Sequence, residues 1–261
     1  MIPDAHVTAW GLRRPWASRD QVEQDLLLER VVVEVARHPY LGNELVFRGG
    51  TCLHKLHLPE PWRYSEDLDY VRATGGPISG VLDALRDVAA QIGLTVGAVD
   101  VGPYPKVQFR TVAQSGARLR LKIEMNTYER SPARPHVHLP LRVDSRWWAG
   151  EADVLTFATE ELVATKLRAM HQRKKGRDLF DLWLALTELA LDPEEVLRCF
   201  APYRPDGYTR ATALATFDAH VGDPVFRTDL DQLVVTTPAG YDIDAAAMLV
   251  RSNLLDPLDD P

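Results

Sequence analysis

Residues 21–37 read as a helix: Val22, Leu26, Glu29 and Val33 fall near one stripe, largely apolar, which Leu27, Arg30 and Val31 widen. Ser18 is placed to cap that helix, with Asp20 and Glu23 in its first turn. The short apolar run 45–47 stops at Gly49-Gly50, the pattern of a buried strand turning sharply. One or two helical turns are expected over 51–58, ended by Pro59 and Pro61. Residues 62–71 read as a strand edge closed by Gly75-Gly76-Pro77. In 78–92, Val81, Leu82, Leu85, Val88, Ala89 and Ile92 make the apolar face of a helix that Gly93 ends.

Alternation with a period of two then takes over, predicting strands at 106–112 and 118–126. In the second, Leu119, Leu121, Ile123 and Met125 point one way, and Arg118, Arg120, Lys122, Glu124 and Asn126 the other. Pro132, Pro135 and Pro140 mark irregular chain with a short strand near 137–143. Beyond residue 155 the pattern turns helical, at 159–172, 178–190, 193–200, 208–220 and 242–255. The expectation is an α/β (α+β) domain over residues 1–155 and a helical C-terminal domain over 156–261.

Composition adds exclusions. A chain of 261 residues, 46% hydrophobic and 26% charged, can bury a core without staples. Cys52 and Cys199 lie far apart and join no Cys/His cluster, which argues against a disulfide framework or a zinc site. The first residues lack a signal-peptide layout, and no apolar run nears the roughly 18 residues of a membrane span. A cytoplasmic protein without membrane attachment is expected. The net charge of −7 counts mildly against a dedicated nucleic-acid binder. Locally, though, Lys166, Arg168, Arg173, Lys174, Lys175 and Arg177 follow one another with no acidic residue between, a docking place for a polyanion or a solvated helix face.

Two groups of residues carry chemistry. On a strand, Asp67 and Asp69 present both carboxylates to one side, an arrangement that a hard divalent cation makes favourable. The backbone of Gly49-Gly50-Thr51 after a strand can cradle a phosphate, and Ser65 would share the carboxylate face if the strand extended back to it. Glu124 is either a third metal ligand or a cross-strand partner of Lys122 and Arg120. The second group is Lys166 with Arg173 and Arg177, which a continuous helix would set on one stripe able to hold a triphosphate. Asp178 and Asp181, three apart, either orient those cations or, for Asp178, cap the next helix.

Taken in order, Phe47-Arg48-Gly49-Gly50-Thr51, Arg63-Tyr64-Ser65-Glu66-Asp67-Leu68-Asp69, the run from Glu160 to Lys166, Arg173, and Arg177-Asp178-Leu179-Phe180-Asp181 resemble the AbiEii/AbiGii nucleotidyltransferase toxins, which include the MenT toxins. The resemblance spans residues 20–190. It implies a DNA polymerase β-like nucleotidyltransferase core with a mixed sheet and a helical C-terminal part. It also implies metal binding by Asp67 and Asp69, nucleotide binding by Lys166 and Arg173, an Asp-x-x-Asp motif at Asp178 and Asp181, and a cognate antitoxin.

The resulting expectation is a toxin-like enzyme that transfers NMP from an NTP to an acceptor hydroxyl, with a tRNA 3′ end as the leading acceptor and a block of translation as the outcome. Gly49, Gly50, Thr51, Ser65, Lys166 and Arg173 would hold the nucleotide between the two halves. Two Mg2+ ions would sit on Asp67, Asp69 and Glu124. Lys174, Lys175 and Arg177 would contact an RNA backbone. The alternatives are nucleotidylation of a protein, or a non-catalytic protein that only binds a nucleotide or a partner.

Overall fold

A computed structural model describes residues 2–259. It divides into two compact units: the chain up to Ser131 together with His136–Phe157, and Pro132–Pro135 together with the chain from Ala158 onward.

The first unit is built on a seven-stranded mixed sheet of β1 (Leu45–Arg48), β2 (Asp67–Arg72), β3 (Thr95–Asp100), β4 (Lys106–Val112), β5 (Arg118–Asn126), β6 (Val137–Asp144) and β7 (Ala149–Thr156). Their order is β3-β4-β5-β2-β1-β7-β6. β2 runs parallel to β5 and β1 parallel to β7, and the other neighbours are antiparallel. The expected strand edge over 62–71 is corrected here: the strand begins only at Asp67, and it lies inside the sheet between β1 and β5. Its polar residues suggest an edge, yet Leu68, Tyr70 and Val71 are buried, and only Asp67 and Asp69 reach partly open space.

Helices α1 (Asp4–Gly11), α2 (Arg19–Arg37), α3 (Leu41–Glu44), α4 (Gly49–Cys52) and α5 (Ser79–Gln91) complete the unit. Ser18 caps α2 through a reciprocal pair with Gln21. Leu26, Leu28, Val31, Val32 and Val33 of α2 are wholly buried, as are Leu121 and Ile123 from one face of β5. Polar side chains of α2 are buried too. Gln24 Nε2 donates to the Arg120 carbonyl at 3.0 Å, and Glu23 accepts the Gln114 N–H at 2.8 Å. Those bonds satisfy main-chain groups at β5 and at the β4–β5 turn that would otherwise be orphaned. One face of β5 is thereby committed to the core, and its charged residues take the other.

The second unit is helical: α6 (Thr159–Gln172), α7 (Gly176–Thr187), α8 (Pro193–Phe200), α9 (Arg210–Val221), α10 (Pro224–Arg227) and α11 (Ile243–Val250). Leu162, Leu167, Leu179, Phe180, Val196 and Val250 form its core. The Pro132–Pro135 stretch joins this unit because the N–H groups of Ala133 and Arg134 donate to the buried Glu161 carboxylate at 2.7 and 2.9 Å.

Candidate active site

The turn out of β1 is shaped by glycine. Arg48 is extended, Gly49 adopts φ +82°, and α4 starts at once. The β1–β2 register sets Arg48 opposite Asp69. A Cβ on Gly49 would lie 2.3 Å from Asp69 Oδ2, so only glycine supplies both the positive φ and the room. The hydroxyl of Thr51 bridges Ser65 Oγ at 2.8 Å and the Asp67 carbonyl at 2.5 Å. Ser65 therefore stands next to the acidic pair, but through a hydrogen bond rather than by strand alternation, because β2 does not reach back to it.

Behind that turn, α4 runs into a wider helical turn in which the Leu58 N–H meets the Leu53 carbonyl at 3.0 Å. Lys55 on this turn is buried and holds Asp25 at 2.7 Å and Glu29 at 3.1 Å, both on α2. Burial alone would lower the Lys55 pKa, but the two carboxylates outweigh it and raise it. This buried cation with two carboxylates fastens the segment after Gly49 to the largest helix of the unit. Nothing in the sequence periodicity pairs Lys55 with Asp25, so sequence reasoning missed it.

Asp67 and Asp69 do share a face, and the parallel register with β5 sets Lys122 opposite Asp67 and Glu124 opposite Asp69. Lys122 Nζ lies 2.7 Å from Glu124 Oε1 and 3.1 Å from Asp67 Oδ2, while Lys106 Nζ is 3.5 Å from Glu124. Partial burial would raise the Glu124 pKa, yet its bond to Lys122 and the charges of Lys122 and Lys106 hold it below the usual carboxylate range. Glu124 is thus paired with Lys122 of its own strand and with Lys106 across on β4, rather than with Arg120. Among the described residues no group of three His, Cys, Asp or Glu side chains is arranged to hold a metal ion. The donors nevertheless suit magnesium, which commonly takes one or two carboxylates and completes its octahedron with water and phosphate oxygens. Asp67 and Asp69, the latter packed closely against Gly49, are two carboxylates of that kind.

In the second unit, Lys166 is 4% exposed and lies 2.8 Å from Asp181 Oδ2 and 3.4 Å from Asp178 Oδ1. Arg173 grips Asp178 with two parallel bonds of 2.7 and 2.8 Å while its side chain stays half exposed. The expected stripe of Lys166, Arg173 and Arg177 on one helix is corrected: α6 ends at Gln172, Arg173 is extended, and Arg177 belongs to α7. The chain leaves α6 at the extended Arg173, and α7 starts afresh at Gly176, where a Cβ would meet the Phe226 carbonyl at 2.1 Å. Lys166 and Arg173 are instead united by Asp178, which caps nothing: the α7 N-cap is Lys175, with no side-chain cap bond. The basic run beyond is not an open patch either. Lys174 pairs with Asp223, Lys175 lies 3.5 Å and Arg177 3.9 Å from Asp229, acids some fifty residues downstream.

This arrangement, a central strand with same-face carboxylates beside a glycine turn, belongs to a mixed-sheet fold seen in solved nucleotidyltransferase toxins. The chain is similar over 99% of its length to MenT4, a nucleotidyltransferase toxin from Mycobacterium tuberculosis, with 20% identity, 91% of that chain covered and a TM-score of 0.68. JHP933 from Helicobacter pylori is similar at 18% identity, with 88% of each chain covered and a TM-score of 0.53. No curated protein matches the sequence. The family model for the AbiEii nucleotidyl transferase toxin of type IV toxin–antitoxin systems matches residues 30–248. The chain belongs to the AbiEii nucleotidyltransferase toxin family. No helix among the described residues is long and apolar enough to cross a membrane.

Proposed function

We propose that this protein is a magnesium-dependent enzyme that transfers NMP from an NTP to the 3′ hydroxyl of a tRNA, so blocking translation, and that a cognate antitoxin restrains it. The observation that carries the reading is the Asp67–Asp69 pair on β2, with Gly49 opened against Asp69, in a chain of this family.

Asp67 and Asp69, with Glu124 as a third carboxylate, would hold magnesium, which would neutralise phosphate charge and acidify the acceptor hydroxyl. Gly49, Gly50, Thr51 and Ser65 bind phosphate at the turn. In the second unit, Arg173 is the half-exposed cation suited to phosphate oxygens, and Lys166 is a second positive charge whose position Asp178 and Asp181 fix. In the transfer, the hydroxyl oxygen bonds to the α-phosphorus, the bond to the bridging oxygen breaks, pyrophosphate leaves, and the hydroxyl proton is lost to solvent. The protein contributes positioning and charge neutralisation.

The test is incubation of the purified protein with magnesium, total tRNA and each α-labelled NTP in turn, followed by sequencing of labelled 3′ ends. Label on tRNA ends that disappears in Asp69→Ala and in Lys166→Ala is the expected result. Label that survives both changes refutes the site, and label on a protein band instead of RNA refutes the acceptor.

A further inference from the structure

The face of the sheet that carries Asp67 and Asp69 continues across β5 and β4, and its far end is cationic. Cross-strand register sets Arg110 directly opposite Arg120, and Val112 opposite Arg118. All three arginines are exposed, and they line a groove of about 290 Å³ with Thr95 and Val112. Arg110 Nε donates to Gln108 at 2.9 Å, and its guanidinium lies over Gly97 of β3, where a Cβ would come within 2.2 Å of Nε. Among the described residues, no ion pair joins any of the three to a carboxylate.

Stability does not account for this. Like charges directly opposite on neighbouring strands are destabilising, and the chain as a whole has acid to spare, at a net charge of −7. Elsewhere in the protein, even the basic run at Lys174, Lys175 and Arg177 is matched with aspartates. Arg118 and Arg120 sit on the same strand as Lys122, which touches Asp67, and Arg110 sits beside them on β4. At about 3.3 Å per residue, Arg120 is roughly 7 Å and Arg118 roughly 13 Å along β5 from Lys122. A polyanion laid along this face would run from the groove to the row of the acidic pair.

We propose that Arg110, Arg118 and Arg120 form a docking groove for the backbone phosphates of the acceptor RNA, and that Lys122 and Lys106 continue the track toward Asp67. This rests on the reading of the protein as an RNA-modifying nucleotidyltransferase, and it places the acceptor on a surface formed entirely by the first unit. Guanidinium forks suit phosphate oxygens, and contacts of this kind give affinity without sequence preference.

Fluorescence anisotropy of a labelled single-stranded RNA, titrated with the full chain at several salt concentrations without NTP, tests it. Each phosphate contact contributes about 0.7 to the slope of log K against log salt for a single strand. The triple variant Arg110→Gln, Arg118→Gln, Arg120→Gln is expected to bind more weakly, with a slope shallower by about 2. The triple lysine variant is expected to keep the slope, and binding of a manganese–NTP complex to stay unchanged in both. The glutamine variant also relieves the Arg110–Arg120 repulsion, so its Tm is expected not to fall. An unchanged salt slope in the glutamine variant overturns the proposal. So does unaltered RNA binding combined with loss of an acidic protein partner, which would make the groove a protein interface. If the wild type labels no RNA yet the slope change is seen, the docking surface stands and the transfer reading fails.

Discussion

Replacing Gly49 with alanine perturbs the candidate site in two separable ways. The φ of +82° puts an L-residue in the left-handed region, at about 1–2 kcal/mol. The new Cβ would also lie 2.3 Å from Asp69 Oδ2. Ordinary contact begins about 1 Å farther out, so the carboxylate must retreat by about that much. A displacement of about 1 Å at a reacting centre can reduce rate about a hundredfold. Gly116→Ala isolates the first effect, because Gly116 has φ +88° and nothing within 4 Å of its would-be Cβ. Urea unfolding is expected to show Gly116→Ala destabilised by about 1–2 kcal/mol with NMP transfer intact. Gly49→Ala is expected to lose at least as much stability, and about a hundredfold in kcat/KM. Transfer by Gly49→Ala at the rate of Gly116→Ala would refute the claim that the glycine makes room for a working Asp69.

Three further outcomes follow from the same geometry. Lys166→Met or Asp181→Asn, each removing one partner of a wholly buried pair, is expected to cost about 3–5 kcal/mol in urea unfolding, and the double variant less than the sum; strict additivity would mean the pair is not coupled. His57 is pushed by burial from 6.5 to about 4, so between those values the unfolded chain binds a proton that the folded one does not. Stability therefore falls as pH drops from 6.5 to 4, by about 3 kcal/mol in all, and His57→Gln should flatten that limb of a Tm-versus-pH curve; an unchanged limb contradicts the assignment. Lys122→Met, which removes the ammonium from between Asp67 and Glu124, is expected to tighten Mn2+ binding about tenfold by electron paramagnetic resonance, and unchanged affinity would show that Lys122 does not compete with the cation.

Much of the architecture was legible because periodicity is a local property. The helices at 159–172 and 193–200 and the strands at 106–112 and 118–126 coincide with α6, α8, β4 and β5. Missed elements lack a clean period: β3 is mostly exposed, β7 mixes small and acidic residues, and α1 buries only Val7 and Trp10. At the site, the Asp67–Asp69 pair needed only strand alternation. What the sequence hid depends on register and on distant acids. Lys122 meets Asp67 because β5 runs parallel to β2, and Arg110 meets Arg120 through the β4–β5 hairpin register. The cationic stripe failed because the helix ends earlier than the glycine at 176 would suggest: Arg173 is already extended, drawn to Asp178, and α7 starts anew at Gly176.

Binding of Mn2+ together with a non-hydrolysable NTP analogue, followed by electron paramagnetic resonance, addresses the acidic pair most directly. Saturable binding by the wild type and by Arg118→Gln, reduced at least tenfold in Asp67→Asn and in Asp69→Asn, is the predicted result. Equal manganese–nucleotide affinity in the wild type and in both asparagine variants would contradict the assignment of this strand as the metal and nucleotide centre.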